Sequence, residues 1–403
     1  MIFIYLLLAI FYLRKAKKKL NRTAKKNITF IIVLATLLMV GYELYVECSV
    51  GWHYGVPFDD DTGWIFRAAV AMKNGQPWDE LYKVALNYEW NDSRVLSLTT
   101  LGQYIYAAFA SSALYYPVVI DIRLNLYLLY LFQIVIVSAA IIDFMCATKI
   151  YVMNNLALRY VGDTFYFFIL LFYPVVLFNS FKLLRETFFV FFMLKIFVAF
   201  VQFKNEKKYS WLCIYSICLL AIRPNSIVYI FPLIICCIFN EKIATMACYL
   251  ISFLLLFGNW IVSKVTQLLG WNYGVGNVKF QEMMHLLLFP SPISQTINFI
   301  EIGKDPSWVT LLYFSQSIWN IPIIALAIVG IYCSVKKKKN TFWILTWANV
   351  LMVYSLAYSI SNITPRYKLI YLIPQMLFVY IGLCQVRKVF HHRNVRMRGD
   401  KTV

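Results

Sequence analysis

Charged side chains are scarce in this chain. They make up 14% of its 403 residues, where a soluble domain carries about 25%. That is too little polar side chain to cover a water-facing globule, and it argues against an ordinary soluble fold. Carboxylates are scarcer still, with 19 Asp and Glu against 38 Lys and Arg and a formal net charge of +19. Histidine occurs four times, as His53, His285, His391 and His392, and a lone loop histidine is more often a surface residue than a catalyst. The nine cysteines show no CxxC or Cys/His spacing, so no zinc motif is present. All but Cys48 lie in or beside apolar stretches, where they read as small packing residues. There is no internal repeat and no low-complexity segment. The apolar run 1–13 is followed, not preceded, by basic residues, which is the wrong order for a cleavable signal peptide.

What the chain does have is apolar length. Hydrophobic residues reach 61% and the mean hydropathy is +0.66. Aromatics reach 18%, with 29 Tyr and 32 Phe, which suits helices whose ends sit at lipid headgroups. A spanning helix needs about 20 mainly apolar residues. Segments 28–47, 124–146, 163–181, 186–203, 243–262, 311–333, 341–360 and 367–384 meet that length. The run 1–13 is shorter, a tilted anchor or an interfacial segment. The stretch 209–239 is too long for one span and holds Arg223-Pro224 at its centre. A residue before proline leaves the helical region, so this stretch reads as two short helices, 209–221 and 225–239. The expectation is an all-α polytopic transmembrane bundle of about ten or eleven spans, one membrane domain over 1–403.

Orientation follows from Lys and Arg, which concentrate on the cytoplasmic side. With the basic linker 14–27 inside, the cytoplasmic segments hold 24 Lys/Arg and the outer ones 13 of the 38. The runs KAKKK, KNEKK and KKKK all fall inside. This places the N-terminus outside and the basic tail 385–403 in the cytoplasm. The outer face then carries two long segments, 48–123 and 263–310. The first holds a stretch, 98–120, that is apolar but interrupted by Gly102 and Pro117, and reads as interfacial or re-entrant helices. The localisation expected is a multi-pass protein of the cell membrane.

Two features of the outer face carry chemistry. One is Asp59-Asp60-Asp61, ahead of a short helix that ends at Gly75. Adjacent carboxylates repel, so a metal ion, a cationic partner or a substrate hydroxyl must oppose them. A divalent cation, magnesium or manganese, is one group such a run can hold. The plain alternative is a helix cap, which Asp61 can supply. The other feature is a set of cations at outer turns: Lys182 and Arg185, then Arg223, then Arg366 with Lys368. Cations at this depth suit a lipid phosphate, which Arg meets with a planar fork. The plain alternatives are headgroup snorkelling or an ion pair such as Lys182 with Glu186.

These residues together resemble glycosyltransferases of the GT-C class, polytopic membrane proteins that take sugar from a polyprenyl-phosphate carrier at the outer face. Asp59-Asp60-Asp61, followed by Ala69, Ala71, Met72 and Gly75, is similar to the family's acidic first loop and its helix. The segment YYPVVIDIRLNL, with Arg123, looks like the arginine-bearing start of the next span. LAIRPNSIVYIFPLI resembles a short helical hairpin of the family, and ITPRYKLIYLIPQMLF its last outer turn. The resemblance covers most of the chain as topology and some 30 residues as motif. It implies an inverting transferase with Asp60, Asp59 or Asp61 as catalytic base, and Arg185, Lys182, Arg223, Arg366 and Arg123 around the lipid phosphate. It implies as partners a polyprenyl-phosphate-linked sugar, a glycan, lipid or protein acceptor, and membrane lipids, with no nucleic acid. A polysaccharide polymerase or ligase would use the same arginines with loop 263–310. A transporter would show related halves, and none are visible.

Overall fold

The computed structural model describes residues 1–50, 61–75, 98–115, 122–156, 162–206, 208–223, 226–239, 308–336 and 372–399, with positions 243, 246, 250 and 369. Among these residues the protein is all α, without a strand. The expected segment 341–360, all but positions 243, 246 and 250 of 243–262, and the loop 263–310 up to its last three residues lie outside them.

The axis of the bundle is α5 (Ile122–Leu156), whose 35 residues reach about 52 Å at the α-helical rise. It is apolar on every side, and such a helix belongs inside. Within its most apolar window 83% of residues are buried in protein, against 33% for α2 (Arg22–Val50). Around α5 pack α1 (Ile2–Lys17), α2, α4 (Leu98–Tyr115) and α8 (Glu186–Glu206). The short α3 (Asp61–Lys73) lies along α4. It ends where expected, with Gly75 at φ 70°, the left-handed position that glycine fills at a helix end.

Three stretches among the described residues are long and apolar enough to cross a membrane: Arg22–Leu44, Ile122–Met153 and Glu186–Glu206. The expected span 163–181 is two helices, α6 (Asp163–Leu171) and α7 (Pro174–Ser180), bent by 66°, and makes a fourth crossing if the pair is one span. The break has the cause seen in 209–239. Tyr173, ahead of Pro174, is extended (φ −60°, ψ 116°), and Pro174 opens α7, where its missing N–H is no loss. Arg223, ahead of Pro224, is extended as well (φ −146°, ψ 101°). It separates α9 (Ser210–Ile222) from α10 (Ile227–Ile238) as the dipeptide predicts. By contrast Gly102 does not interrupt α4.

Contact levels set helix directions. Tyr106 meets Gln133 and Asn125 Nδ2 donates to the Leu114 carbonyl (2.8 Å), so α4 runs antiparallel to α5. Lys195 pairs with Asp143 and Phe197 packs on Phe144 (5.1 Å), so α8 runs parallel to it. The last two helices, α11 (Trp308–Lys336) and α12 (Leu372–Gly399), pack on each other. Trp319 of α11 lies on Phe168 (5.7 Å) and Tyr380 of α12 on Tyr166 (4.9 Å). Tyr166 also donates to the Met376 carbonyl (2.8 Å). Where α11 and α12 cross, residue 330 meets 378 and residue 326 meets 382, so the two helices run antiparallel, whereas the single span 341–360 expected between them would have them run the same way.

That crossing is made by glycine. A Cβ on Gly330 would lie 2.0 Å from the Phe378 carbonyl oxygen, and one on Gly382 would lie 2.0 Å from that of Leu326. Small residues let helix backbones touch where no solvent drives association. Gly102 makes the same kind of contact with the Ile222 carbonyl, also 2.0 Å. Gly330→Ala should therefore destabilise the protein by about 1–3 kcal/mol or more, read as a lower melting temperature in detergent. Gly41→Ala, inside α2 with nothing within 4 Å, should instead raise stability by about 0.5–1 kcal/mol.

Candidate functional site

Polar groups inside the bundle gather chiefly at two levels of α5, at Gln133 and at Asp143, and Lys149 pairs with buried Asp163 nearer its C-terminal end. The upper level is built by two chain breaks, the one between α7 and α8 and the Arg223-Pro224 break between α9 and α10. Between α7 and α8 the chain passes through Phe181, Lys182, Leu183, Leu184 and Arg185. The break is stitched by short polar side chains, with Thr187 donating to the Asn179 carbonyl (2.7 Å) and Ser180 to that of Val176 (2.7 Å). Gln133 completes the stitching. With its amide nitrogen turned to the carbonyls it donates to Ser180 (2.9 Å) and Lys182 (3.2 Å), and its oxygen meets the Tyr106 hydroxyl.

The cations at this level are held from both sides. Lys182 Nζ donates to Glu43 Oε1 of α2 (2.8 Å), with 0% and 1% of the two side chains exposed. The Tyr42 ring lies 5.1 Å from the ammonium, a cation–π contact. Arg223 Nη2 donates to Glu186 Oε1 (2.6 Å), and its guanidinium sits 5.3 Å over the Phe189 ring. Arg185 Nη1 donates to the Ile222 carbonyl (3.4 Å). Arg185 and Arg223 thus reach across to the residue beside the other, and the two breaks face each other. The ion pair suggested by sequence spacing is different here: Lys182 goes to Glu43, and Glu186 takes Arg223.

The remaining sequence candidates are placed otherwise. Arg123 is exposed in the first turn of α5, ten residues or about 15 Å before Gln133. Arg366, Lys368, Asp59 and Asp60 lie outside the described residues, as do His53 and His285. Asp61 is the first residue of α3. The ion-holding capacity proposed for the aspartate run rests on residues beyond the description. Among the described residues no three His, Cys, Asp or Glu side chains gather at one point.

The lower level lies about 15 Å further along α5. Asp143 accepts from Lys195 (2.8 Å), Lys19 (2.5 Å) and the Tyr12 hydroxyl (2.6 Å). Lys195 also donates to the Tyr12 oxygen (2.8 Å). This group ties α1 and the turn after it to α5 and α8.

Sequence reasoning from outer turns missed Glu43, Gln133 and Tyr106. Glu43 carried a signal, an acid inside an apolar span, and such groups are functional candidates by default. Gln133 and Tyr106 carried none, because their meaning comes from the break they satisfy.

A buried pair that loses one partner leaves an uncompensated charge, at about 3–5 kcal/mol. Lys182→Ala should therefore lower the melting temperature sharply. Lys182→Met with Glu43→Leu should recover most of the loss in the same measurement. Comparison with family models, with curated proteins and with solved structures finds no match to this chain.

Proposed function

We propose that this chain is a membrane glycosyltransferase of the GT-C type. It moves a sugar from a polyprenyl-phosphate carrier to a cell-envelope acceptor on the outer face, in a bundle of about ten or eleven spans with the N-terminus outside and the C-terminus inside. The observation that carries the proposal is the meeting of Arg185 and Arg223 at two facing helix breaks. Such a pair presents planar donors to a phosphate leaving group inside a low-dielectric bundle. Further support comes from α3 and α4. The aspartate run leads into α3, α3 packs along α4, and Gly102 of α4 touches Ile222, the neighbour of Arg223.

In this mechanism Asp60, or Asp59 beside it, takes the proton of the acceptor hydroxyl. The acceptor oxygen attacks the anomeric carbon as the bond from that carbon to the phosphate oxygen breaks. Polyprenyl phosphate leaves with the electron pair, and the sugar is transferred with inversion. Arg185 and Arg223 stabilise the charge that grows on the phosphate. Lys182, fully buried on Glu43, holds the break in place from behind.

Asp60→Asn or Asp59→Asn is expected to lower sugar transfer by about 10²–10⁴-fold in membranes supplied with the lipid-linked sugar, without loss of the folded protein. Arg185→Ala should cost as much, because one donor to a developing oxyanion is worth about 10²–10³-fold. Full transfer in both Asp variants with loss in Arg185→Ala would favour a lipid-linked polysaccharide polymerase or ligase, in which the arginines act alone.

The topology has its own test. The Lys/Arg bias places both 334–340 and 385–403 inside, which needs one span, 341–360, between α11 and α12, while the antiparallel packing of those two helices needs none or two. Reporter fusions after Lys339 and after Lys401 should both report cytoplasm. A tail found outside would overturn the orientation.

A further inference from the structure

The first acidic residue of the chain is Glu43, and before it come eight Lys and Arg between positions 14 and 26. They surround the turn between α1 and α2. Arg14, Lys15, Lys18, Arg22 and Lys26 are exposed. Two others are committed elsewhere. Lys19 is bound to Asp143. Lys17 donates to Thr29 (2.6 Å), and its burial holds the ammonium below the usual lysine range.

Each exposed cation continues an exposed apolar stripe. On α1 the stripe is Phe3, Ile4, Leu7, Leu8 and Phe11, between 45% and 70% exposed. The steps of three and four that join these residues run on through Arg14, Lys15 and Lys18, so all lie on one face. On α2 the order is reversed. Arg22 and Lys26 come first, and Phe30, Val33 and Leu37 follow on the same face, 49% to 68% exposed. Two apolar stripes therefore end in cations at the same turn. The cations of α2 also stand at its N-terminal end with no acid in the first turn, against the helix dipole. An anion at that end would reverse the penalty, and helix N-termini accept phosphate readily.

We propose that the α1–α2 turn is a binding site for an anionic phospholipid. The phosphate headgroup is held by Lys15, Lys18, Arg22 and Lys26, and the acyl chains lie along the two stripes. The pattern goes beyond what orientation in the membrane requires, because positive charge alone would orient the chain without lying on the face that meets acyl chains. It is independent of any sugar transfer, since the site lies at the lower level of the bundle beside Asp143.

The test uses the full chain reconstituted in phosphatidylcholine vesicles with one-fifth phosphatidylglycerol, and spin-labelled versions of both lipids. The fraction of each label immobilised at the protein surface gives a preference ratio. The native protein should prefer phosphatidylglycerol several-fold, and high salt should weaken that preference. A basic residue near an anionic surface changes affinity by about fivefold. K15Q/K18Q/R22Q/K26Q should therefore bring the ratio close to unity, while K15R/K18R/K26R, which keeps the charge and tests for misfolding, should retain it. Equal immobilisation of both lipids by the native protein would overturn the proposal. So would an unchanged preference in the glutamine variant, or competition by inorganic phosphate as effective as that by the lipid.

Discussion

An ammonium group with no exposed surface sits between one carboxylate and an aromatic ring, and the upper half of the bundle is arranged around it. Lys182 cannot take that position unless Glu43 meets it, because an unpaired charge in an apolar interior is too costly to keep. The pair fixes α2 against the α7–α8 break. With the break so held, Arg185 and Arg223 come together and Gln133 lines up with the carbonyls of Ser180 and Lys182. A broken helix in an apolar medium exposes backbone groups that no water can satisfy. Here side chains from neighbouring elements satisfy several of them, so the break is a built part of the fold.

The two polar levels along α5 have different characters. The upper one is made of chain breaks, and its side chains close gaps in hydrogen bonding. The lower one is made of intact helices, and Asp143 joins cations from α8 and from the turn after α1. It gives the short first helix a fixed seat. Tyr5 and Ser112 add a hydrogen bond (2.9 Å) near the other end of that helix. A segment of 16 residues is too short to cross a bilayer upright, and it is anchored at both ends instead.

Much of this could be read from residue order alone. Runs of apolar residues marked the cores of α2, α5, α8 and α11, and Arg223-Pro224 marked the division of α9 from α10. The same rule applied at Tyr173-Pro174, but the surrounding run is continuous and apolar, and proline within a spanning helix is tolerated often enough to hide the bend. Gly102 looked like an interruption because glycine weakens helices. Its role is a close approach to Ile222, which depends on a partner 120 residues away. Distance in sequence also hid the partner of Lys182. Nearby Glu186 was the local choice, yet burial rather than spacing decides which acid meets which cation. The cations were legible because charge in apolar surroundings stands out, while Gln133 and Tyr106 resemble ordinary polar residues until the break beside them is known.

The crossing of α11 and α12 has a mechanical consequence. Contacts made by side chains can be adjusted through rotamers, but Gly330 and Gly382 bring backbone directly onto backbone. The separation at that point is therefore set by van der Waals contact between backbones, at two places one helical turn apart. Pinned at two places, the pair can neither slide nor pivot there without lifting one backbone off the other, so the two helices move as one piece.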